Sequence, residues 1–190
     1  MDIQSRITVE TIRDVLAREK KRRLGGGDLK PSAVLFPMFE RDGQLCMLFT
    51  QRTETVAHHK GQISFPGGVQ DPEDETLLET ALREAHEEIG LRSEDVELLG
   101  ELDDVLTVSS GFVITPFVGL IPWPYRFQVN QREVAQLIEV PAAALVDERR
   151  FRVEVWASHE VYFYEYQSYT IWGATAHILK RFFDRIGDAL

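Results

Sequence analysis

The order of elements along the chain predicts a mixed α and β fold in one enzyme-sized domain. Three observations carry that reading. A Gly67-Gly68 turn runs into a thirteen-residue amphipathic stretch, short apolar runs with strand character flank it on both sides, and a second amphipathic stretch closes the chain. With 190 residues and 44% hydrophobic content, the chain can bury a full core without disulfides or metal staples.

Taken in order, the first element is a helix from about Val9, whose Ile12, Val15 and Leu16 share one apolar face. It runs into Lys20-Lys21-Arg22-Arg23, where cations complement a helix C-terminus; the run reads as a solvated helix end or as a phosphate patch. Gly25-Gly26-Gly27 then forms a flexible joint, so residues 1–27 are expected as an N-terminal helix and joint, and 28–190 as the single main domain. Residues 33–39 and 45–50 are apolar strands around a turn at Asp42-Gly43. Residues 77–89 form a helix opened by a capping box, Thr76 with Glu79, and closed by Gly90 in a left-handed conformation. Its Leu78, Ala81, Leu82, Ala85 and Ile89 recur at three- and four-residue intervals and must face a core. Further strands are expected over 96–102, 113–120 and 134–140, then an aromatic hairpin over 153–156 and 161–166 around Ser158-His159. That hairpin suits sheet packing or the stacking of an adenine ring, and its outer surface could serve a homodimer. Residues 175–186 close the chain as a helix through Leu179, Phe182, Phe183 and Ile186.

A net charge of -10, from 21 basic and 31 acidic side chains, argues against broad nucleic-acid binding, which needs a basic surface. The single cysteine, Cys46, lies in an apolar run and is expected as a buried structural thiol. No apolar run is long enough to cross a bilayer and the first residues lack the form of a signal peptide, so no membrane partner and a cytoplasmic location are expected.

The chemistry concentrates in the middle helix. Glu84, Glu87 and Glu88 are three and four residues apart and fall together on a face beside the apolar stripe. Clustered carboxylates repel, and a hard cation removes that penalty; Mg²⁺ and Mn²⁺ favour carboxylate oxygens combined with water and substrate phosphate. The plain alternative is a solvated acidic helix face. Arg83, which can pair with Glu87 at i,i+4, and Gly67-Gly68, which frees the backbone to approach a metal or phosphate, favour the site.

This segment resembles the Nudix box: Gly, five residues, Glu, seven residues, Arg-Glu, aliphatic, any, Glu-Glu, any, Gly, aliphatic. Arg83-Glu84-Ala85-His86-Glu87-Glu88-Ile89-Gly90-Leu91 fits its second half throughout. In the first half one residue is inserted, so the first acid is Asp74 counted from Gly68 or Glu75 counted from Arg83. Upstream, Thr50, Arg52, Gly61, Phe65, Pro66, Gly67 and Gly68 are similar to the extra motif of the coenzyme A pyrophosphatase subgroup. Thr53 replaces a small Ser or Ala there, and Ala57 stands where the subgroup has Arg; His58, His59 or Lys60 could supply the missing cation. Downstream, residues 129–134 are similar to the region that completes Nudix sites, with Glu133 as the further acid, and Ile171-Trp172-Gly173-Ala174-Thr175-Ala176 resembles the closing strand-to-helix junction.

The resemblance implies an α/β/α sandwich with a mixed β-sheet and the catalytic helix after the glycine turn. It implies metal-dependent hydrolysis, with Mg²⁺ or Mn²⁺ at Glu84, Glu87, Glu88 and Gly68, catalytic roles for Glu87, Glu133 and Arg83, and substrate contacts at Arg52, His59, Lys60, Gly61 and Phe65. The implied small-molecule substrate is coenzyme A or a derivative, cleaved to phosphopantetheine and adenosine 3',5'-bisphosphate. Other readings are a Nudix hydrolase acting on an ADP-sugar, a dinucleotide or a nucleoside triphosphate, and a non-catalytic nucleotide-binding or partner-binding module on the same scaffold.

Overall fold

The computed structural model describes residues 7–18, 21–25, 29–54, 60–107, 111–157 and 159–188. Eight strands form the main sheet. β1 (Lys30–Arg41) and β2 (Gln44–Arg52) are a hairpin whose turn residues Asp42 and Gly43 both have positive φ, 52° and 73°. The two strands pair only near the turn, from Met38↔Met47 to Arg41↔Gln44, and then splay. Two short strands fill the split: β3 (Ile63–Ser64) pairs with β2, and β4 (Gly67–Val69) pairs with the start of β1. β7 (Phe112–Leu120) runs parallel to β1 along its other edge and carries β5 (Glu97–Glu101) and β6 (Val105–Leu106), while β8 (Val134–Pro141) pairs antiparallel with β2. The sheet is therefore mixed, as the sequence resemblance implied.

Strand alternation divides β1 and β2 between two cores. Ala33, Leu35, Phe39, Cys46 and Leu48 face Ala81, Ala85 and Ile89 of α2 (Leu77–Ile89). Phe36, Met38, Met47 and Phe49 face the opposite side, where α1 (Val9–Arg18) and α4 (Gly173–Asp188) pack. Helices on both faces of one sheet make the expected α/β/α sandwich. Ile12, Val15 and Leu16 of α1 are buried in the same cluster as α4. A second, three-stranded sheet of β9 (Phe151–Trp156), β10 (His159–Tyr166) and β11 (Tyr169–Trp172) packs under α4; between β8 and β9 lies the short helix α3 (Ala142–Leu145).

The basic run differs from both of its readings. α1 ends at Arg18, and beyond it Lys21 pairs with Glu101 while Arg23 pairs with Glu101 at 2.7 Å and Asp104 at 3.3 Å. The backbone N–H groups of Arg22 and Leu24 donate to Asp103 and Asp104. The run is therefore a clasp onto the acidic end of β5, because three carboxylates, Glu101, Asp103 and Asp104, lie within its reach. Gly26 and Gly27 of the expected joint lie outside the described residues. Among the described residues no helix is long and apolar enough to cross a membrane.

Candidate functional site

The helix that carries the acidic cluster is set by its ends. Thr76 Oγ1 accepts from the Glu79 N–H at 3.2 Å, the Glu79 carboxylate accepts from the Thr76 N–H at 3.1 Å, and Gly90 takes φ 69° at the C-cap. Thus fixed over β1 and β4, α2 does not present its three glutamates alike. Glu88 is 4% exposed, on the edge of the buried stripe; Glu84 is half-buried; Glu87 is exposed. The helical step of about 100° per residue explains the division: Glu84 and Glu88 lie close to the Ala81-Ala85 line, whereas Glu87 turns away from it.

Arg83 organises this cluster. Its Nε and Nη2 form a bidentate fork on Asp74 at 3.1 and 3.0 Å, Nη2 also donates to the Val69 carbonyl at 3.2 Å, and Nη1 donates to Glu84 at 2.9 Å and Glu87 at 3.2 Å. All five N–H donors of the guanidinium are engaged. Arg83 thereby ties Glu84 and Glu87 to Asp74. Asp74 also accepts from Thr80 Oγ1 and the Asp71 N–H, and the Arg83 fork holds its carboxyl down at about 2. Of the two candidate first acids, Asp74 anchors Arg83 and Glu75 is exposed.

Gly68 is required by close approach. A Cβ built there would lie 2.4 Å from the Glu84 carboxyl carbon, so only glycine leaves Glu84 in place. Behind it, Arg52 Nη1 stands 3.7 Å from Glu88 Oε1, and both Arg52 Nε and Glu88 Oε2 are buried without a hydrogen-bond partner. Burial pushes the Glu88 carboxyl up to about 8; Arg52 opposes this, and Glu84 and Glu133 add to it. Burial likewise raises Glu84, against Arg83 and with Glu87 and Glu133. Glu133 thus acts on both glutamates, although it comes from the turn before β8. Asn130 holds that turn: its N–H donates to the Glu88 carbonyl at 2.9 Å and its Nδ2 to the Glu133 carboxylate at 3.1 Å.

The other expected substrate contacts divide. Lys60 is exposed, and Gly61, at φ 66°, passes so close to Glu54 that a Cβ would come within 2.5 Å of its carboxylate. Ala57, His58 and His59 lie outside the described residues. Phe65 is 2% exposed and stacks on Phe36 and Phe49 with centroids 4.2 and 4.8 Å apart, so its ring packs in the core. A cavity of about 690 Å³ opens at the far end of α2 between His86, Arg92 and Arg126, sharing only Glu87 with the carboxylate cluster.

Among the described residues no three His, Cys, Asp or Glu side chains are gathered closely enough to hold a metal ion. Glu84 and Glu87 lean on Arg83, and Glu88 on Arg52. The donor set nevertheless fits a hard divalent cation: it is all carboxylate, it contains a buried oxygen with no partner, and it faces a glycine where a side chain would fill the space.

A family model described as NUDIX domain matches residues 28–158. The chain is 43% identical over 154 residues to a Yersinia enterocolitica protein named uncharacterized Nudix hydrolase NudL, covering 79% of this chain and 78% of that one. Its fold is similar to that of a MutT/nudix family protein from Enterococcus faecalis, with a TM-score of 0.57 and 13% identity over 98% of this chain and 72% of the other. The NUDIX domain of Shewanella oneidensis NrtR, solved in complex with ADP ribose, aligns with a TM-score of 0.50 and 22% identity over 68% of this chain and 82% of that one.

Proposed function

The chain belongs to the Nudix family and is a Nudix hydrolase, and on that premise we propose that it cleaves the diphosphate bridge of coenzyme A and its derivatives. The observation that carries the reading is the junction of two elements at one point: Arg52, from the segment similar to the coenzyme A pyrophosphatase motif, stands 3.7 Å from Glu88 of the Nudix helix.

Nudix hydrolases generally use divalent metal ions; here Glu84, Glu87, Glu88 and the carbonyl of Gly68 would hold Mg²⁺ or Mn²⁺. Such an ion supplies Lewis-acid polarisation of the bridge and a water of lowered pKa. The chain's own residues do the rest. Arg83, held by Asp74, keeps Glu84 and Glu87 directed to the same side of α2. Arg52 and Lys60 would supply cations to substrate phosphate, with His59 in the adjoining stretch, and Gly61, at positive φ, turns the chain just after Lys60. Glu133 is the base we favour, because Glu87 is engaged by the Arg83 guanidinium whereas Glu133 is steadied by a neutral amide donor. The water oxygen bonds to one phosphorus of the bridge, the bridging P–O bond breaks, and the water proton passes to Glu133. Phosphopantetheine and adenosine 3',5'-bisphosphate each leave with one phosphate of the former bridge. The buried Cys46 accords with a cytoplasmic setting.

A second reading is a Nudix hydrolase of another nucleoside diphosphate derivative. Ala57 favours it, since the subgroup's arginine is missing there. Mass-spectrometric product analysis decides between them, after incubation of the protein with Mg²⁺ or Mn²⁺ and, separately, coenzyme A, NADH, ADP-ribose and a nucleoside triphosphate. Fastest release of phosphopantetheine from coenzyme A supports the proposal, and faster cleavage of another compound transfers it to the second reading.

A further inference from the structure

The three-stranded sheet ends in an open edge. β9 pairs with β10 on one side and, among the described residues, with no strand on the other. Proteins usually blunt such edges with proline, a bulge or a covering element. β9 reads Phe-Arg-Val-Glu-Val-Trp, without proline, and its register with β10 is unbroken from His159↔Trp156 to Tyr164↔Phe151. It also exposes Val153 at 45%, Val155 at 71% and Trp156 at 48%, three of the seven large hydrophobic side chains that the described residues expose. Strand alternation puts Phe151, Val153 and Val155 on one face and Arg152, Glu154 and Trp156 on the other.

We propose that this edge binds a second copy of the chain: β9 pairs antiparallel with its counterpart about a two-fold axis at Val153, joining the two small sheets into one six-stranded sheet. Charge excludes two of the other registers, and of those left only an axis at Val153 sets Arg152 and Glu154 opposite each other. A two-fold axis normal to the sheet keeps like faces together, so one residue must stand opposite its own copy. Centring on Arg152 or Glu154 sets like charges opposite each other, which destabilises the pairing. Centring on Val153 places Arg152 opposite the partner's Glu154, Glu154 opposite the partner's Arg152, and Phe151 opposite the partner's Val155. Both faces are then complementary at every position, and Trp156 meets the cationic side chain of the partner's Arg150. Within one chain Arg152 already pairs with Glu154 and lies over the Phe163 ring at 3.8 Å, so the ions stand ready on the exposed face. The inference does not depend on the substrate.

Light-scattering mass analysis of the full chain, without substrate, tests it at tens of micromolar. The expected mass is twice 21.8 kDa. Arg152→Glu sets two acids opposite each other and should weaken the dimer at least about tenfold; Glu154→Arg should do the same with two cations. The double variant Arg152→Glu/Glu154→Arg restores opposite pairing and should restore the dimer. Both side chains are nearly half exposed, and circular dichroism checks that each variant is folded. A monomeric wild type, a dimer indifferent to Arg152→Glu, or a double variant that stays monomeric while folded would each overturn the proposal.

Discussion

Replacing Glu88 by Gln should make the cation-free protein more stable than the wild type at neutral pH. Burial, opposed by Arg52 and reinforced by Glu84 and Glu133, raises this carboxyl from an ordinary 4.5 to about 8. Between those values the folded protein keeps a proton that the unfolded chain has released, so wild-type stability falls as pH rises through the window. Integrated to neutral pH, the loss is about 3 kcal/mol. Glutamine has nearly the same shape and does not ionise, so it escapes the loss. Urea unfolding of both proteins, followed from acid to neutral pH with a chelator present, reads the difference directly. The two stabilities should lie close together near pH 4.5, the ordinary value, and diverge by about 3 kcal/mol at neutral pH. A divalent cation should then stabilise the wild type and have much less effect on the variant. A wild type whose stability is flat or rises across the window, or a variant that is less stable at neutral pH, would refute the view of Glu88 as a buried, uncompensated metal ligand.

Other outcomes follow from the same geometry. Asp74→Asn should lose about 2 kcal/mol at neutral pH, since its carboxyl sits at about 2 rather than 3.8; that stability is present above the unfolded value and is lost as pH falls towards the folded one. Glu75→Gln should change stability by no more than about 0.5 kcal/mol in the same unfolding experiment, because the residue is exposed. Gly68→Ala should keep the fold, as the obstructed atoms are the mobile end of Glu84, yet lower turnover at least about tenfold in steady-state assays. Glu133→Gln should lower turnover about a hundredfold or more in steady-state assays; if Glu87→Gln does so and Glu133→Gln does not, Glu87 is the base.

The parts of the fold legible in the sequence are those fixed by local rules. Helix α2 begins and ends where the capping box and Gly90 set it, and the longer strands follow their apolar runs. β3, β4, β6 and β11 were not legible, because strands of two to four residues carry almost no periodicity and their pairing depends on where β1 and β2 separate. Phe65 sits beside Pro-Gly-Gly, which drew it into the expected substrate site. The alternation of buried Ile63 and Phe65 was the available signal that it faces the core. Asp74 and Glu75 are equivalent by counting, and only the turn that aims Asp74 at Arg83 separates them. The saturation of Arg83 and the docking of Lys21 and Arg23 on Glu101 are long-range pairings, invisible to any local pattern. The unequal burial of Glu84, Glu87 and Glu88 was legible in principle from the helical step, given the line of Ala81 and Ala85.

The central claim is tested most directly by the rate at which adenosine 3',5'-bisphosphate forms from coenzyme A with Mg²⁺ or Mn²⁺, measured on the wild type and on Glu88→Gln. Ready turnover by the wild type and a loss of at least about a hundredfold in the folded variant are predicted. Near-normal activity of the variant, or no cleavage of coenzyme A by a wild type that readily cleaves another diphosphate, would contradict it.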